Sequence, residues 1–149
     1  MDNLYPLLGQ ITYSYSRIDL ILCHIAHAIG ITESPYHYYT LPMAAKMKSL
    51  VENLKSRDLE KDLLKRIENW DKEFSRMREE RNNLIHSIIV SNPNNDKNFL
   101  FFNYKIDDKK KLKGIHNNLM ISDVEKVNTD LITLHNETVN IWEEIKDKI

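Results

Sequence analysis

The sequence predicts an all-α fold, an up-and-down four-helix bundle with a small β-hairpin inserted between its third and fourth helices. Three observations carry this. Apolar residues recur at alternating spacings of three and four over long stretches, the mark of amphipathic helices. Only three glycines and four prolines interrupt the 149 residues, so few positions can break a helix. One segment, Phe99-Leu100-Phe101-Phe102-Asn103-Tyr104, has strand composition instead. A chain of this length fits a single domain over residues 1–149 with a substantial core.

The first helix is expected over residues 6–29. Pro6 suits a first turn, Ile11, Tyr15, Ile18, Leu22, Ile25 and Ile29 form one stripe, and Gly30 is placed to end it. Residues 31–41 read as a loop. Pro42 opens a second helix, with Met43, Met47, Leu50, Val51 and Leu54 on its apolar side. After the polar break at Lys55-Ser56-Arg57-Asp58, a third and longest helix is expected over residues 59–89. Its seam is Leu63, Ile67, Trp70, Phe74, Met77, Leu84 and Ile88. Ser91-Asn92-Pro93-Asn94-Asn95-Asp96 is the clearest turn cluster. The strand at residues 99–104 would turn at Asp107-Asp108-Lys109-Lys110 and return over residues 112–120. Ser122-Asp123-Val124-Glu125 then has capping-box form and opens the last helix, striped by Val124, Val127, Leu131, Leu134, Ile141 and Ile145.

Composition narrows the function. Apolar residues make up 42% and charged residues 29%, values of a globular chain. The formal net charge of -1 supplies no global field for nucleic acid, so phosphate contacts require a local basic patch. No apolar run approaches the roughly 18 residues of a membrane span. Met1-Asp2-Asn3-Leu4-Tyr5-Pro6 lacks the basic start and cleavage site of a secretory signal. The single cysteine, Cys23, suits a reducing cytoplasm. There is no Gly-rich phosphate loop and no nucleophile elbow around the serines.

One constellation stands out, Arg81-Asn82-Asn83-Leu84-Ile85-His86, near the end of the longest helix. At about 100° per residue the apolar seam passes through position 81, between Met77 and Leu84. A guanidinium there is costly unless it meets an anion. Either a carboxylate from another helix pairs with it, or the seam opens onto a cleft where a phosphate would sit. His86 lies about 140° round the helix from Arg81. Asn82 and Glu79 share its face. Taken singly, an arginine in a seam is ordinarily a structural ion pair, and a histidine at a helix edge is ordinarily inert.

Together, Arg81-Asn82-x-x-x-His86 resembles the R-x4-6-H signature of the HEPN superfamily, in which a polar residue often follows the arginine. The local string Arg78-Glu79-Glu80-Arg81-Asn82-Asn83-Leu84-Ile85-His86-Ser87 and the order of two helices, a motif helix and a closing helix are similar to that family as well. The resemblance implies a metal-independent endoribonuclease, active as a homodimer with both motif helices facing one cleft. In it His86 is the general acid/base, Arg81 binds the scissile phosphate, and Asn82 orients the substrate or the histidine. It implies no cofactor and no metal. A setting in microbial defence or a toxin–antitoxin pair, with an antitoxin or regulatory protein as partner, follows from the resemblance alone. Two residues after the histidine stands Ile88, not the tyrosine of one HEPN group, so the chain is not assigned to that group.

Other residues carry weaker signals. His24 and His27 beside Cys23 have i, i+3 spacing that a metal could use, but no second ligand pair accompanies them. Tyr36-His37-Tyr38-Tyr39 would stack on bases or cover a bundle end. Lys109-Lys110-Lys111 with Lys113 is the one compact basic cluster, a solvated hairpin tip or an RNA-tracking patch. The competing reading from another class is a non-catalytic helical module for dimerisation or partner binding.

Overall fold

The computed structural model describes residues 3–92, 94–106 and 112–148, with side chains described except at 95–97, 103–106, 112–113 and 115–117. It is mostly helical. Among the described residues five helices, α1 (Leu4–Ala28), α2 (Pro35–Tyr39), α3 (Met43–Lys55), α4 (Lys61–Ile85) and α5 (Ile121–Lys146), accompany three strands, β1 (Ile88–Asn92), β2 (Asn95–Ile106) and β3 (Leu112–Met120).

The apolar stripes meet in one core. Ile11, Ile18, Leu22 and Ile25 of α1, Met47, Leu50 and Leu54 of α3, Leu63, Ile67, Trp70, Phe74 and Met77 of α4, and Val124, Leu131, Ile141 and Ile145 of α5 are all buried in it. Each such side chain removed from water contributes about 1.5–3 kcal/mol before entropy is charged against it. Trp70 meets its polar requirement inside this core: its indole N–H donates to Thr138 Oγ1 at 2.9 Å, and the Thr138 hydroxyl donates to the Leu134 carbonyl at 2.8 Å. Gly30, with φ of 80°, terminates α1 as its position predicts, the Ile31 N–H reaching back to the Ala26 carbonyl at 2.8 Å.

Residues 31–41 are not simply a loop. Ser34 caps the short helix α2, its Oγ accepting the Tyr36 N–H, with Pro35 in the first turn. This helix lies back along the outside of α1, where Pro35 and Tyr39 border the same groove as Ser16 and His24. The consequence is topological. Asp19 pairs with Lys46 and the Ile29 carbonyl accepts from Arg57, so α1 and α3 run in the same direction. Antiparallel pairing, by contrast, joins α4 to α5, through Arg66 with Glu137 and Glu144 and through Arg76 with Asp130. The alternating up-and-down order expected for the first two long helices does not hold, because α2 carries the chain back before α3 begins.

The expected hairpin is a three-stranded antiparallel sheet in the order β1-β2-β3. Residues 88 and 89, read as the end of the longest helix, belong instead to β1, whose Ile89 pairs with Phe101 and Val90 with Leu100. Three β-branched residues in succession favour the pleated strand over another helical turn. Alternation then decides orientation: Ile89, Phe99, Phe101 and Leu119 face the core, while Ile88 points outward and is 58% exposed. Strands β2 and β3 pair from Asn98 opposite Met120 to Ile106 opposite Leu112. The expected turn at residues 107–110 lies outside the described residues. The last helix starts one residue before Ser122, and the Asp123 carboxylate, not Ser122, accepts the Met120 N–H at 2.9 Å. No helix among the described residues is long and apolar enough to cross a membrane.

Candidate functional site

The end of α4 places the motif. Arg81 is half-buried in the seam, beside the buried Met77 and Leu84. Among the described residues no carboxylate forms an ion pair with it. Its guanidinium lies over the Tyr15 ring of α1, Cζ 5.1 Å from the centroid, and the ring in turn stacks on Phe74 at 6.0 Å. A cation on an aromatic face gains about 0.5–2 kcal/mol, which partly offsets lost hydration. Nη1 reaches the Asn82 side-chain oxygen at 3.0 Å, whereas Nε is shielded from water with no acceptor. Of the two outcomes that the sequence allows for this arginine, the seam opening onto a cleft is the one found.

That cleft has a volume of about 520 Å³ and lies between the first turn of α3 and the last turns of α4. Tyr15, Pro42, Met43, Ala44, Arg78 and Arg81 line it, with Glu79, Asn82 and Asn83 at the α4 side. Burial pushes the Tyr15 hydroxyl up to about 12, against the neighbouring Arg81 and Arg78 charges, which favour the phenolate. At neutral pH the hydroxyl is therefore a proton donor. Because its folded value lies above the unfolded 10.0, the stability it supplies is complete below about pH 10 and drains away as pH rises towards about 12. Tyr15→Phe should flatten that part of a stability-against-pH curve, measured by urea unfolding at successive pH values.

His86 closes α4 as its C-cap, its backbone N–H donating to the Asn82 carbonyl at 3.0 Å. Its ring is exposed at the junction of α4 and β1 and does not line the cleft of its own chain. The structure thus brings Arg81 and Asn82 together and leaves His86 apart, as the angular offset along the helix requires. Lys109, Lys110 and Lys111 lie outside the described residues. Lys113 stands in β3 opposite Lys105, its side chain outside the described set.

The remaining sequence candidates separate. Cys23 is buried with Ala26 and Tyr38, and burial raises its thiol, whereas His24 and His27 are exposed, the latter with Nδ1 3.1 Å from the Thr32 carbonyl oxygen. No group of three or more His, Cys, Asp or Glu among the described residues is arranged to hold a metal. Tyr38 is buried and its hydroxyl donates to the Lys46 carbonyl, while Tyr36 and Tyr39 are exposed beside Leu20. Tyr15 and Arg78 line the cleft without being legible in the sequence as site residues. Tyr15 reads as one more stripe residue. Arg78 sits three positions before Arg81, the one hint of a shared face.

No family model, no curated protein and no solved structure matches the chain.

Proposed function

We propose that the protein is a metal-independent endoribonuclease of the HEPN type, cleaving RNA as a homodimer. The observation that carries this reading is Arg81, a guanidinium held in an apolar seam without a carboxylate partner among the described residues. It opens on a cleft, and the imidazole of His86 follows in the motif spacing. In this reading the four long helices are the bundle of that family. Arg81 binds the scissile phosphate and stabilises the charge that builds on its oxygens. His86 accepts the ribose 2′-hydroxyl proton or protonates the leaving oxygen. Asn82, hydrogen-bonded to Arg81, fixes the guanidinium for the substrate.

Two chains related by a twofold axis bring the histidine of one to the phosphate held by the other, which reconciles an exposed His86 with a cleft it does not line. Ile88, 58% exposed just beyond His86, and Val90, 38% exposed, offer apolar surface for such a contact. Lys109, Lys110, Lys111 and Lys113, the basic cluster of the sequence, add phosphate contacts in this reading. The proposed setting is the cytoplasm, in microbial defence or a toxin–antitoxin pair, with an antitoxin or regulatory protein as the other partner.

A second reading, a non-catalytic module of the same fold, draws on the separation of His86 from Arg81 within one chain. The test is cleavage of mixed cellular RNA, with EDTA present, by the native protein and by His86→Ala. Cleavage by the native protein alone supports the nuclease. Equal cleavage by both places the activity elsewhere, and inactivity of both, with no growth arrest on expression, favours the binding module.

A further inference from the structure

The cleft beside Arg81 contains more cationic character than the motif accounts for. Arg78 and Arg81 are three residues apart on α4, so both side chains leave the same face, and both line the cleft. Neither forms an ion pair with a carboxylate among the described residues. The other arginines of this helix behave differently: Arg66 holds Glu137 and Glu144, and Arg76 holds Glu73, Glu80 and Asp130. Carboxylates are thus abundant along α4, yet the two arginines that go without one are the two that face the cleft.

The opposite wall adds donors and no acceptor charge. Pro42, Met43 and Ala44 are the start of α3, a helix of 13 residues whose N-terminus has no side-chain cap and no acidic residue in its first turn. The amides there carry the positive end of the helix dipole. Between the walls, the Tyr15 ring sets the Arg81 guanidinium in place, and Arg81 Nε is sequestered without an acceptor. An anion that enters this cleft meets guanidinium charge that no carboxylate among the described residues neutralises. Glu79, exposed at the rim, is the one opposing charge among the lining residues.

We infer that this cleft is a phosphate seat for a single nucleic-acid strand, in which Arg78, the Tyr15 hydroxyl and the N-terminus of α3 share the phosphate with Arg81. It deepens the nuclease reading in taking the phosphate as part of a polynucleotide, but the seat itself requires no cleavage. Arg78 supplies a second set of guanidinium donors, and Tyr15 both orients Arg81 and donates a hydrogen bond. Tyr15 thus acts on the phosphate twice, through its own hydroxyl and through the arginine that its ring supports.

Binding of a fluorescein-labelled 12-nucleotide single-stranded DNA, read by anisotropy at several salt concentrations, tests the seat. This probe has no 2′-hydroxyl, so the proposed chemistry cannot consume it. Arg78→Gln should weaken binding by about tenfold and flatten the slope of log affinity against log salt by about 0.7. Lys72→Gln removes the same charge from an exposed position of α4 outside the cleft and should change affinity by less than about twofold. Glu79→Gln should tighten binding several-fold, a gain that misfolding cannot produce. Lack of binding by the native protein, equal effects of Arg78→Gln and Lys72→Gln, or no gain from Glu79→Gln overturns the seat. Native protein that shows this binding pattern yet leaves RNA intact retains the seat and removes only the nuclease. Protein that cleaves RNA but binds the probe without regard to Arg78 does the reverse.

Discussion

In the proposed nuclease, His86→Ala is expected to lower RNA cleavage by about 10²–10⁴-fold, the usual contribution of a positioned general acid or base. Its melting temperature should stay within about 2 °C of the native value, because an exposed side chain away from the core contributes within about 0.5 kcal/mol. The imidazole is exposed, and the helix-ending bond at this position is made by its backbone N–H, which alanine retains. Arg81→Ala should abolish cleavage equally and still fold, since no carboxylate ion-paired to it among the described residues is left stranded. The two variants therefore separate chemistry from scaffolding. Activity and melting temperature are to be measured on the same preparations. A His86→Ala protein that cleaves at the native rate removes the imidazole from the mechanism. An Arg81→Ala protein that unfolds identifies the arginine as structural.

Asp19→Ala should have the largest effect on stability of any single polar change, about 3–5 kcal/mol. Lys46 is 1% exposed, and its ammonium sits 2.5 Å from Asp19 Oδ1, with the Tyr39 ring 4.8 Å away on another side. Removing the aspartate strands a charge inside the protein, and the aromatic contact returns only a fraction of the lost hydration. The pair joins α1 to α3 at the point where α2 has just reversed the chain. At about 2–4 °C per kcal/mol for a chain of this size, the melting temperature should fall by roughly 6–20 °C. The double change Asp19→Leu with Lys46→Met supplies the contrast. With both charges gone it should recover most of the loss, as apolar replacements of buried ion pairs commonly do. A thermal melt in which Asp19→Ala equals the native protein would show that water reaches this pair freely.

The surface ion pairs of α4 carry less weight. Arg66 and Arg76 are each 40% exposed, and their partners 27–56%, so every pair contributes about 0–1 kcal/mol. The pairs of Arg66 with Glu137 and Glu144 and of Arg76 with Asp130 are directional, setting α4 against α5 in one register.

Periodicity by itself determined the helices. Ile11 to Ile29, Leu63 to Met77 and Val124 to Ile145 are the stripes found buried, because a residue's place on a helix face follows from counting alone. The three-four rule also located Arg81 in the seam and His86 off it. Local patterns could not settle the competition between states at residues 88 and 89. A helix-compatible spacing there yields to strand pairing, and that outcome depends on Phe101 and Phe102, more than ten residues away. For the same reason α2 lies within a stretch that reads as a loop, because its docking against α1 is a tertiary event. The partnership of Asp19 with Lys46, 27 residues apart, was likewise decided by the return of the chain. Tertiary structure alone assembled the cleft, since Tyr15, Met43 and Arg78 come from three helices and none announces the others in sequence. The sequence therefore named the arginine and left open what it faces, because burial is coded locally and encounter is not.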